Sequence, residues 1–117
     1  MGRLTTHVLD TAHGAPAADL GVQLYRLRGS ERTLLREVRT NADGRCDGPL
    51  LDGDALEVGV YELVFAAGAY FARRDVRTST PPFVDEVVVR FGVGDASAHY
   101  HVPLLVSPWS WSTYRGS

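Results

Sequence analysis

The side chains whose types and spacing could do chemistry are three histidines and two arginines. His99 and His101 share the run His99-Tyr-His-Val-Pro-Leu-Leu-Val106, and His7 sits in Leu4-Thr-Thr-His-Val-Leu9. At strand periodicity His99, His101, Pro103 and Leu105 point one way, and Tyr100, Val102, Leu104 and Val106 the other. The second set makes a core face. The first sets two imidazoles side by side where packing alone asks for neither. Imidazole titrates near ~6.5, so it can accept a proton from water as a general base. Each histidine is equally compatible with a half-buried strand position held by one hydrogen bond. His-x-His with a distant third histidine could also face zinc, but no cysteine or carboxylate is spaced to complete the set. No metal and no cofactor are expected.

Arg45 follows Asn41-Ala-Asp-Gly44, where Asn, Asp and Gly tolerate the left-handed backbone of a tight turn. A guanidinium is permanently charged and offers a flat fork of donors, which suits a planar, carbonyl-rich anion. By itself it reads as a surface arginine after a turn. Arg115 lies in the ending Tyr114-Arg-Gly-Ser117, an odd composition for a surface tail. Trp109 and Trp111, alternating in a mostly apolar segment, point to packing or a subunit interface. Cys46 has no partner cysteine and reads as a packed or spectator thiol.

The elements that must position these groups alternate like strands. Leu4–Leu9, Gly21–Arg28, Thr33–Thr40, Glu57–Phe65, Glu86–Val93 and the segment from His99 all read so, with Gly29-Ser30 as a hairpin signal. Glu57–Phe65 carries apolar residues on both faces and reads as a central strand. Pro49–Asp54 is loop or a short strand, and Pro103 suits an edge or interrupted strand. Ala66–Arg74 is the one stretch expected to form a short helix. Such a sequence predicts an all-β sandwich in a single domain over 1–117.

The totals agree. With 117 residues, 44% hydrophobic and 22% charged, the chain matches an ordinary globular domain. A net charge of −2 without a Lys/Arg run speaks against nucleic acid. No apolar run approaches a membrane span, and the N-terminus lacks the apolar core of a signal peptide. With a lone cysteine, the expected location is cytoplasmic.

His-Tyr-His-Val-Pro-Leu-Leu followed by Ser-Thr-Tyr-Arg-Gly-Ser resembles the transthyretin-related 5-hydroxyisourate hydrolases, enzymes of urate breakdown. Leu4-Thr-Thr-His-Val-Leu-Asp-Thr-Ala12, Asp43-Gly-Arg45 and Ala69-Tyr-Phe71 match the same family, so the resemblance spans nearly the whole chain. Trp109-Ser-Trp111 departs from it, since a Phe-Gly-Tyr-like segment is commoner there. The resemblance implies a transthyretin-like sandwich of two four-stranded sheets with one short helix. It implies a shared pocket in which His7, Arg45 and His101 are catalytic, while His7, Arg45, Tyr114, Arg115, Gly116 and Ser117 bind substrate. His99 would support them. It also implies a homotetramer, a dimer of dimers with sites where dimers meet. A transthyretin-like carrier of small aromatic ligands is the alternative that the same fold allows.

Overall fold

The computed structural model describes residues 1–116, and its elements follow the alternation of the sequence. In chain order they are β1 (Arg3–Asp10), β2 (Ala15–Pro16), β3 (Gly21–Arg28), β4 (Glu31–Arg39), β5 (Leu51–Asp52), β6 (Gly59–Ala66), α1 (Ala67–Arg73), β7 (Glu86–Val93), β8 (His99–Val106) and β9 (Trp111–Thr113). One sheet has four strands in the order β4-β3-β6-β7. The other runs β2-β1-β8-β9, with β5 pairing to β1, so two-residue pairings bring it to five strands. Two sheets and one short helix are as expected, and the sequence also placed the helix within a residue at each end.

The inner faces meet in one core. Leu4, Val8, Leu24, Leu63, Phe65 and Leu104 are wholly buried there. Burial of that apolar area is the main force holding the two layers together. The expected partition of the last long strand holds: Tyr100, Val102, Leu104 and Val106 face the core.

Pro103 was expected at an edge or in an interrupted strand, and it takes the second place: β8 lies between β1 and β9, but its ladder to β9 covers only Leu104–Val106, with an isolated bridge from His101 to Gly116 beyond it. It is tolerated because its nitrogen faces β9, whose pairing reaches only Leu104, and Thr113 Oγ1 donates to the Pro103 carbonyl on that side. β6 is central as predicted, yet Glu62 stands buried in it, within 2.9 Å of Arg90 and 3.7 Å of Arg32. β4 is a strand as expected and is exposed along most of its length, Leu34 and Leu35 included.

What positions the site is the pairing of the two ends of the chain. β1 and β8 run parallel in continuous register, with Thr5 opposite His101 and His7 opposite Pro103. Thr6 donates to the Val102 carbonyl at 2.6 Å, a side-chain tie between the same strands.

Candidate active site

His7 and His101 lie on the outward face of their sheet because the inward positions are taken by core residues. The third group arrives by a turn. Asn41 Oδ1 accepts from the backbone N–H of Asp43 at 2.9 Å and of Arg45 at 3.1 Å, which closes the turn around Gly44. Gly44 has φ +76 and lies so close to β1 that a Cβ would run into the Val8 carbonyl. The Val8 N–H donates to the Gly44 carbonyl at 2.8 Å, and a lone antiparallel bridge joins His7 to Arg45. Turn chemistry thus docks Arg45 beside His7.

The ring nitrogens are fixed in different ways. His7 Nε2 lies 2.9 Å from the Asp43 carbonyl, which can only accept, so that nitrogen carries the proton and Nδ1 is the basic atom. His101 Nδ1 lies 2.8 Å from Thr5 Oγ1. Its Cδ2 edge packs against Gly116, where an added Cβ would stand 2.6 Å away. His101 Nε2 has no protein partner among the described residues. Burial, and secondarily the charges of Arg45 and His7, lower the His101 pKa below its usual 6.5. It is therefore a neutral imidazole at neutral pH, able to take a proton.

Arg45, His99 and His101 line a cavity of about 480 Å³ together with Arg3, Thr5 and Cys46. Its described lining residues include two arginines and no carboxylate side chain, surroundings that suit an anion. Burial pushes the Cys46 thiol up, which leaves it a poor nucleophile. Among the described residues, no group of three or more His, Cys, Asp or Glu side chains is arranged to hold a metal.

The C-terminal tail divides. Gly116 N–H donates to the His101 carbonyl at 2.7 Å, which brings the chain end against the catalytic candidate. Tyr114 and Arg115 line a separate 220 Å³ groove with Val89, Phe91 and Tyr100. There Arg115 donates to the His99 carbonyl at 3.1 Å, and its guanidinium lies 4.2 Å from the centre of the Tyr100 ring. Ser117 falls outside the described residues. Arg45 and His101 line the cavity; His7 is bridged to Arg45 and Gly116 to His101 without being among its lining residues, and within one chain Tyr114 and Arg115 line the separate groove.

Thr5 and Arg3 join the cavity without a sequence motif that marks them. Thr5 shares the strand face of His7, which was visible, but its contact with His101 spans 96 positions of sequence and was not.

Comparisons with known proteins bear on the same chemistry. A family model described as HIUase/Transthyretin family matches residues 4–116. A protein named 5-hydroxyisourate hydrolase in Ralstonia nicotianae is 60% identical over 117 residues, covering all of both chains. Among solved structures, one titled (S)-allantoin synthase is 50% identical with a TM-score of 0.95 over 99% of this chain. This chain spans 44% of that longer one. Sea bream transthyretin in complex with thyroxine is 26% identical, with a TM-score of 0.87 over 97% of this chain and 94% of its own.

Proposed function

The chain belongs to the HIUase/transthyretin family, and from that premise we propose that it hydrolyses 5-hydroxyisourate to 2-oxo-4-hydroxy-4-carboxy-5-ureidoimidazoline in urate degradation. The observation that carries this reading is that His101, its Nε2 without a partner among the described residues and its pKa lowered by burial, lines one cavity with Arg45.

His101 is the base. Its Nε2 takes a proton as the water oxygen bonds to C6 of the substrate, and the carbonyl oxygen gains negative charge. Arg45 orients the planar substrate and stabilises that charge with its donors. As the oxyanion collapses, the bond from C6 to the ring nitrogen breaks. The nitrogen receives the proton from His101, which opens the six-membered ring; C6 stays bonded to C5 as a carboxylic acid, whose proton, the second from the attacking water, is lost to solvent as it ionises to the carboxylate. His7, held through Nε2 by the Asp43 carbonyl and bridged along the backbone to Arg45, orients water or substrate. No metal or other cofactor enters the scheme.

Gly116 allows the tail to close against His101, and Arg115 holds that tail down through the His99 carbonyl. The substrate-binding part for Tyr114, Arg115 and Ser117 is proposed in the assembled protein, where a neighbouring chain completes the pocket. That assembly is a homotetramer, a dimer of dimers, working in the cytoplasm. Trp109 and Trp111, 57% and 44% exposed in the single chain, supply apolar surface for such contacts.

The likeness to a thyroxine-bound transthyretin favours a second reading, a carrier that binds small aromatic ligands without chemistry. Turnover separates the two. Freshly generated 5-hydroxyisourate should disappear faster than its spontaneous decay when the protein is added. Tight ligand binding with no acceleration would replace the hydrolase by the carrier.

A further inference from the structure

Every catalytic imidazole has a second nitrogen, and what holds that nitrogen decides what the first can do. In His101 the second nitrogen is Nδ1, and the only side chain within hydrogen-bond reach of it among the described residues is Thr5, at 2.8 Å. The two residues are direct partners in the parallel pairing of β1 with β8, so their side chains rise from adjacent positions on one face. Thr5 also lines the cavity itself. It makes no other side-chain hydrogen bond among the described residues, so its hydroxyl is not committed to holding the fold.

We propose that Thr5 is a positioning residue for the hydrolysis, its hydroxyl accepting from His101 Nδ1–H so that the Nε2 lone pair faces the cavity. This rests on the hydrolase reading of the site. The opposite tautomer would put a proton on Nε2 and leave no base where the water must be activated. Because Nδ1–H donates to Thr5 both before and after Nε2 takes a proton, the contact survives the whole cycle without a change of partner. The hydroxyl's own proton stays free to point into the cavity at water or at a substrate carbonyl. Gly116 completes the arrangement from the other edge of the ring, where its missing side chain lets the imidazole sit against the tail. The ring is thus gripped at Nδ1 and at Cδ2, and among the described residues no hydrogen-bond partner reaches Nε2.

The test is Thr5→Val, which keeps the shape and removes the acceptor, beside Thr5→Ser, which restores it. Thr5→Val should lower kcat by about 10–100-fold with KM changed less than about threefold, and Thr5→Ser should recover most of that loss. Imidazole ¹⁵N shifts should show the Nδ1-protonated tautomer of His101 in the unsubstituted protein and in Thr5→Ser, and a move toward the Nε2-protonated form in Thr5→Val. Should valine disturb β1, Thr5→Ala carries the same expectation. Unaltered kcat together with an unaltered tautomer in the valine or alanine variant would overturn the proposal. If the unsubstituted protein proved inactive, the hydrolase reading would fall separately. The ¹⁵N measurement would still decide whether Thr5 sets the tautomer.

Discussion

A histidine serves as a base only while neutral, and the surroundings of His101 favour that form. Burial comes first among the causes, then Arg45 and His7. Its pKa in the folded chain therefore lies below the ordinary 6.5. Two consequences follow with defined sign. Activity should persist at mildly acidic pH and fall only as pH drops through this lowered value. For stability, the unfolded chain binds the proton more readily, so the contribution of neutral His101 is complete above about 6.5 and is lost as pH falls toward the folded value. Thermal melts of the unsubstituted chain and His101→Gln at pH 7.5 and 5 should show the smaller acid loss in the variant. Equal losses would remove His101 from the pH dependence. At the tail, Gly116→Ala should lower kcat by about tenfold or more while leaving the melting temperature nearly unchanged, because the added methyl meets the imidazole rather than the core. The sequence offers His7, Arg45 and His101 as candidates, joined into one site only by the family resemblance. Which nitrogen of each histidine is free was not legible, since Asp43 and Thr5 reach them across 36 and 96 positions.

The turn at Asn41–Gly44 carries the site as much as the strands do. Gly44→Ala must place a side chain at φ +76 and against the Val8 carbonyl, which should cost about 2 kcal/mol or more and displace Arg45. Denaturant unfolding beside a KM measurement would test both parts. This turn was legible because Asn, Asp and Gly act locally. Helix α1 is tied to β1 by a contact that was not legible. Asp10 is buried and accepts from Tyr70 Oη at 2.7 Å and from the His13 backbone N–H at 3.0 Å, with His13 Nδ1 at 2.6 Å. Burial raises the Asp10 pKa, but the hydrogen bonds from Tyr70 and His13 outweigh it and hold the carboxyl below its usual value. Burial and that same contact push the Tyr70 hydroxyl up to about 12. Asp10→Asn should destabilise the fold by about 1–3 kcal/mol at neutral pH. The difference should shrink as pH falls through the lowered carboxyl value, where Asp10 itself becomes neutral. A constant difference down to that range would contradict the assignment. Alternation marked where β1 and α1 lie, but no local signal says that residue 10 meets residue 70.

At the scale of the molecule, the sandwich brings the first strand and the last side by side, and the site exists only because they pair. Opposite inward faces and strand-length periodicity made the all-β class readable, whereas sheet order depends on contacts between distant segments. The same distinction explains Pro103. Proline suits an edge or an interrupted strand, and sheet order decides between them: Pro103 sits in a central strand whose pairing to β9 stops at Leu104. Exposed Phe83 stacks on exposed Trp109, with ring centres 6.2 Å apart, and forms apolar surface that assembly would cover. Light scattering should give the mass of four chains. A stable monomer with full activity would show that the site needs no neighbour. The most direct measurement of the central claim is the absorbance decay of freshly generated 5-hydroxyisourate, followed with and without the protein and with and without chelator. A hydrolase should accelerate the decay strongly, with chelator leaving the rate unchanged and His101→Ala abolishing it; decay at the spontaneous rate would contradict the proposed activity.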